Sequence, residues 1–96
     1  MVQLQPGEDA ASNRHAAAAW LERALQPPAG NPSPRLLMLP EIWNAPYAAE
    51  RFSDYAEPVP EAGSLLAEGP SPSLAMVARL ARRHGVSVIA GSIPEI

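Results

Sequence analysis

The chain contains no cysteine and no lysine among its 96 residues. Without cysteine it forms no disulfide, no thiolate zinc site and no thiol nucleophile of its own. Without lysine, its seven basic residues are all arginines, set against ten carboxylates for a net charge of −3. That balance leaves no electrostatic footprint for nucleic acid or an anionic membrane, so neither is expected as a partner. Phenylalanine occurs once; leucine, isoleucine, valine and phenylalanine together number 20, while alanine alone supplies 18. The core is therefore thin, and the length suits one small domain or part of a larger one but not two. No apolar run approaches the ~20 residues of a membrane span, and the amino terminus, MVQLQPGEDA, lacks a charged n-region followed by an apolar h-region. Glu8 and Asp9 stand where transit peptides avoid acids. A soluble, unprocessed chain of the cytoplasm is the expectation, with mitochondrion or plastid left open.

Proline is what the sequence has in abundance, 12 residues in all, and it punctuates the chain. Val2 to Leu4 reads as the end of a strand stopped by Pro6-Gly7. From Ala10 to Leu25, Ala17, Trp20, Leu21, Ala24 and Leu25 recur at helical spacing and form one apolar stripe, with Asp9 or Ser12 available as cap. Residues 26–34, QPPAGNPSP, make a loop, because proline lacks a donor and fixes φ. Leu36 to Leu39 is a continuous apolar run ended by Pro40, the pattern of a strand covered on both faces. Residues 41–70 are a long structured excursion, rich in aromatics and proline and weak in periodicity. A second helix is predicted from Ser71 or Ser73 to His84, with Leu74, Val77, Ala78, Leu80 and Ala81 on or beside its apolar face, Pro72 in its first turn and Gly85 to stop it. Val86 to Ala90 is a β-branched strand closed by Gly91. The order β-α-β-α-β predicts an α/β fold with parallel strands and helices packed on the sheet. Two such helices cannot shield both faces of a parallel sheet, so the expectation is the incomplete, amino-terminal portion of a larger domain.

Ligands in open parallel sheets bind beyond the carboxyl ends of the strands. Three segments reach that edge: Gln3 to Gly7, Pro40 to Tyr47, and Gly91 to Glu95. Glu41 is the best-placed ionisable group, two residues past a buried strand, where apolar walls would tune a carboxyl for general-base work. By position alone a solvated loop carboxylate is the commoner outcome. Trp43, Tyr47 and Phe52 start from the same edge; Trp43 and Phe52 are read as packing residues, whereas the Tyr47 hydroxyl suits orientation of a polar substrate. Asn44 is read as structural, through local bonding to the backbone. His15 and His84 lack companions at ligand spacing, so no metal is expected. Arg82 and Arg83 are read as a solvated helix end, Glu57 and Glu61 as surface charge, and Gly91 as a point of close backbone approach.

LPEIWNAPY, then RFSDYAE, then VSVIAGSIPE together resemble the amino-terminal third of the nitrilase superfamily of carbon–nitrogen hydrolases. Asn44-Ala45-Pro46-Tyr47 and its spacing to Phe52 and to Tyr55-Ala56-Glu57 most resemble the omega-amidase branch. The resemblance spans nearly the whole chain. It implies an α-β-β-α sandwich and a catalytic Glu, Lys and Cys, with Glu41 matching the general base. The chemistry it implies uses no cofactor. A thiolate attacks an amide carbonyl, ammonia leaves, water hydrolyses the thioester, and Lys stabilises the oxyanion, a division of labour that suits a thiol needing a base and an oxyanion needing a fixed donor. The implied substrate is a small dicarboxylate bearing a terminal amide, such as 2-oxoglutaramate, and the implied full-length assembly is a homo-oligomer. The 96 residues carry neither the Lys nor the Cys, so alone they are expected to be inactive.

Three other readings compete. Another carbon–nitrogen hydrolase, such as a carbamoyl-amide hydrolase, differs only in substrate. A non-catalytic protein would dock on a full-length relative through its exposed sheet edge. A nucleotide-binding module would need a glycine-rich strand-to-helix turn, and the sequence has neither G-x-G-x-x-G nor G-x-x-x-x-G-K-[ST], but acids after Gly7.

Overall fold

The computed structural model describes residues 5–26, 29–30, 32, 34–61 and 69–96. The strand expected at Val2 to Leu4 lies outside them, as do parts of the 26–34 loop and of the 41–70 excursion. In chain order the elements are α1 (Ala10–Ala24), β1 (Leu36–Met38), a 3-10 turn (Ala49–Arg51), α2 (Phe52–Tyr55), α3 (Pro72–His84) and β2 (Ser87–Ile89). The two long helices and two strands fall within a residue or two of the positions expected from periodicity.

Helix α1 starts at Asp9, whose carboxylate accepts from the Ser12 amide at 3.1 Å and so satisfies one of the free first-turn donors. Helix α3 starts at Ser71, whose hydroxyl accepts from the Leu74 amide at 3.2 Å, with Pro72 in the first turn. It ends at Gly85, which takes the left-handed conformation at φ 64°.

Strands β1 and β2 pair in parallel, Leu36 with Ser87, Leu37 with Val88 and Met38 with Ile89. Both helices pack on the face carrying Leu37. Ala17 and Leu21 of α1, Leu37 and Leu39, Trp43, and Val77 and Leu80 of α3 make one buried cluster. At roughly 2 kcal/mol for each large side chain removed from water, this cluster is the main source of stability.

The opposite face is open. Leu36 is 54% exposed, Ile89 47% and Met38 36%. The continuous run at Leu36 to Leu39 therefore does not signal a strand covered on both faces by these residues; only Leu37 and Leu39 are buried. Periodicity shows which side chains are apolar, but not which of two apolar faces finds a partner. Trp20 likewise leaves its expected stripe. It is 46% exposed, with the Arg23 guanidinium 5.2 Å from its ring, and the buried position on that side of α1 is taken by Asn13.

Candidate active site

The regular ladder ends at Leu39, whose amide donates to Ile89 O at 2.9 Å, and Pro40 follows it. Pairing resumes one residue later. Glu41 bridges Ser92 in parallel, at the same offset that pairs Met38 with Ile89. The register survives the break because Gly91 lies opposite Pro40 and carries no side chain. A Cβ there would lie 2.0 Å from Pro40 O, and Gly91 has φ 64°. This is the close approach expected of that glycine.

Resumed pairing holds Glu41 at the carboxyl end of the sheet. The following residue, Ile42, has φ 48°, a left-handed conformation that a β-branched side chain seldom adopts. Such strain, of order 1–3 kcal/mol, persists only where surrounding contacts over-determine the backbone. Here they do. The Ile42 amide donates to Ser92 O at 2.8 Å and to Ser92 Oγ at 3.1 Å. The fully buried Trp43 donates its indole N–H to Ala90 O at 2.7 Å. The Asn44 carbonyl accepts from Asn13 Nδ2 at 3.0 Å, and Asn13 also exchanges bonds with Gly7, Nδ2 to Gly7 O at 2.9 Å and Gly7 N to Oδ1 at 2.8 Å.

Glu41 and Tyr47 meet in an open cleft of about 550 Å³ lined by Gln5, Pro6, Pro40, Glu41, Ile42 and Tyr47. Two of the three segments expected at this edge thus line the cleft, and the third, through Ser92, clamps its floor. The Tyr47 hydroxyl donates to Glu41 Oε1 at 2.6 Å. That bond, and secondly the Glu41 charge, hold the Tyr47 phenol above its usual range, because both favour the protonated hydroxyl. The Glu41 side chain is exposed. Pro6, Pro40, Ile42 and Tyr47 give the cleft apolar walls, but the described residues leave it open enough for the carboxylate to face water. Among the described residues no arginine lines the cleft. Phe52 stands edge-on to Tyr47 at 6.3 Å between ring centroids, and Trp43 faces the core, so neither lines the cleft.

Glu57 overturns its reading as surface charge. It is 7% exposed, and both carboxylate oxygens are saturated. Oε1 accepts from Ser71 Oγ at 2.6 Å and from the Ser73 amide at 2.8 Å, while Oε2 accepts from Ser73 Oγ at 2.5 Å and Asn44 Nδ2 at 2.9 Å. Burial is the largest influence on this group and raises its pKa. The hydrogen bonds from Ser71, Ser73 and Asn44 together outweigh burial and hold the carboxyl below the usual range. Its main chain is fixed as well. The Glu57 amide donates to Pro94 O at 3.0 Å, and Glu57 O accepts from the Ile96 amide at 3.1 Å.

Local spacing could not reveal this arrangement, because Glu57 and Ser73 are brought together by folding. A signal was nevertheless present. Helix α3 opens Ser71-Pro72-Ser73 with no acid in its own first turn, leaving its positive end to attract a carboxylate from elsewhere. Among the described residues no group of three or more His, Asp or Glu side chains could hold a metal ion. None of their helices is long and apolar enough to cross a membrane.

Residues 1–96 match the family model for carbon–nitrogen hydrolase. Omega-amidase NIT3 of Saccharomyces cerevisiae is 31% identical over 100% of this chain and 30% of its own length. The chloroplastic omega-amidase of Arabidopsis thaliana is 43% identical over 64% of this chain and 15% of its own length. Omega-amidase NIT2 of Homo sapiens is 28% identical over 99% of this chain and 29% of its own length. The crystal structure of Saccharomyces cerevisiae Nit3, described as a member of branch 10 of the nitrilase superfamily, superposes with a TM-score of 0.82 and 31% identity, covering all of this chain and 32% of that one. The chain thus spans less than a third of the length of these relatives.

Proposed function

The chain belongs to the carbon–nitrogen hydrolase family, and from that premise we propose that its 96 residues form the amino-terminal, base-bearing part of an omega-amidase-like site. Glu41 is the general base. It takes the proton of a cysteine thiol supplied by polypeptide beyond these residues, and the thiolate adds to the terminal amide carbonyl of a small dicarboxylate such as 2-oxoglutaramate. Ammonia leaves with the returned proton. A water molecule then gives up a proton to Glu41 and adds to the thioester, and the acid is released as the departing thiolate takes that proton back from Glu41. The oxyanion is held by a lysine that these residues also lack. Tyr47, donating to Glu41 and exposed on the cleft wall, orients the carboxylate and meets the polar end of the substrate.

The observation that carries this reading is Glu41 at the carboxyl end of β1, in the cleft and held there by the Ser92 bridge. The names of the similar proteins support the amidase branch. The decisive experiment replaces the equivalent stretch of the yeast relative with these 96 residues. The chimera is expected to release ammonia from 2-oxoglutaramate, and Glu41→Gln to reduce kcat by a factor of about 10² to 10⁴. The 96 residues alone are expected to release none. A folded chimera whose Glu41→Gln variant keeps full activity defeats the assignment.

A further inference from the structure

Glu57 is a buried ionisable group with no part in the proposed chemistry. Its four donors join two segments far apart in sequence. Ser71 and Ser73 begin α3, and Asn44 ends the strained turn that starts at Glu41. Among the donors, the Ser73 amide and Asn44 Nδ2 have no acceptor alternative, and they occupy different oxygens. The two serine hydroxyls can rotate and the Asn44 amide can turn over, but the Ser73 backbone N–H cannot. A side chain at position 57 must therefore offer an acceptor to Ser73, while with a carboxylate there the Asn44 amide is held with Nδ2 toward it. Asn44 is itself fully buried, and with Nδ2 turned to Glu57 its Oδ1 has no hydrogen-bond partner among the described residues. Its orientation is thus set by the bond to Glu57, the other Nδ2 contact being a longer one of 3.4 Å to Ser73 Oγ.

We propose that Glu57 is a positioning residue for Glu41: by anchoring Asn44 to the amino-terminal end of α3 it holds the 41–44 turn, with Ile42 left-handed, and so keeps the Glu41 carboxylate against Tyr47. The inference rests on the proposed function only in calling Glu41 the group that matters. The anchoring itself is a statement about hydrogen bonds.

Isosteric exchange of polarity tests it. Glu57→Met removes both acceptors at nearly constant volume, and Asn44→Asp sets two carboxylates face to face, whereas Glu57→Gln alone can be met by the Asn44 amide turning over. Glu57→Gln combined with Asn44→Asp restores complementarity, with the introduced glutamine amide donating to the new carboxylate and its oxygen still accepting from Ser73. The readouts are hydrogen exchange at the Ile42 amide, compared with Leu21 in the body of α1, and the titration of the Tyr47 phenol followed by NMR. Glu57→Met and Asn44→Asp are each expected to speed Ile42 exchange about tenfold or more relative to Leu21, because a buried polar group left unpaired loosens the segment that carries it. Both should also lower the Tyr47 titration toward the ordinary phenol value. Glu57→Gln alone should leave both readouts near the parent values, and the double variant should recover both. Equal acceleration at Ile42 and Leu21 with Tyr47 unmoved would show that Glu57 merely stabilises the whole chain, and the proposal would fall. If a single variant does not fold, the double variant decides: recovery supports the proposal and failure to recover overturns it. Neither readout depends on amide hydrolysis, so failure of the hydrolase reading leaves this result separately legible.

Discussion

The Tyr47 hydroxyl donates to the Glu41 carboxylate at 2.6 Å, although Tyr47 is 71% exposed. An exposed pair contributes little to stability, so its effect is orientation: the phenol fixes one Glu41 oxygen on the cleft wall. Removing the carboxylate charge by Glu41→Gln is expected to lower the Tyr47 titration toward the ordinary phenol value of about 10, since both the charge and the bond now hold it up. Tyr47→Phe should change stability by no more than about 0.5 kcal/mol. The pH titration of the tyrosine resonances and a urea denaturation curve check the two expectations.

Gly91 and Gly85 share φ 64°, but their surroundings differ. Among the described residues an added Cβ at Gly85 meets nothing within 4 Å, whereas at Gly91 it would lie 2.0 Å from Pro40 O. Gly85→Ala should cost about 1 kcal/mol, the ordinary penalty of a left-handed L-residue. Gly91→Ala adds a backbone clash and should cost about 3 kcal/mol or more, with loss of protection at the Ile42 amide as the β1–β2 offset gives way. Denaturant midpoints of the two variants, measured side by side, separate the conformational cost from the steric one. Equal losses would mean that the approach of Gly91 to Pro40 does not hold the register.

The pH dependence of stability follows from Glu57. Its pKa is depressed in the folded chain, so in the acid range the unfolded chain binds more protons than the folded one, and stability rises with pH there. The contribution is complete above the ordinary carboxylate range, about pH 5, and is lost as pH falls through the depressed folded value. Asp9 acts with the same sign, its carboxyl lowered chiefly by the Ser12 hydroxyl and then by the Ser12 amide. Glu57→Gln should therefore be less stable at neutral pH and show a flatter acid limb than the parent chain, while Asp9→Ser keeps a cap and should leave most of the slope. Urea midpoints between about pH 7 and pH 3 provide the comparison.

Much of this was legible in the residues. The stripe Ala17, Leu21, Ala24 on α1, the caps Asp9 and Ser71, the stop at Gly85 and the β-branched run at Val86 are short-range signals, written within one or two turns of the chain. They were enough to place both long helices, both parallel strands and the edge at which Glu41 stands. Trp20 and the outward side chains Leu36, Met38 and Ile89 were not legible in this way. Hydrophobicity marks a side chain as able to be buried, but only the neighbouring layer determines whether it is.

By itself, then, the amino-acid sequence determined the α/β alternation, the family to which the chain belongs and the absence of its own lysine and cysteine, because each of these is local pattern or simple composition. Tertiary structure alone decided that Glu57 is an internal anchor and not a surface charge, that Asn44 faces it, that Gly91 passes against Pro40 and that Tyr47 closes on Glu41. All four depend on atoms brought together from separate segments. The energies that fix them, hydrogen bonds in a buried space and a steric limit of a few ångströms, arise only once the α3 terminus and the paired strands have met.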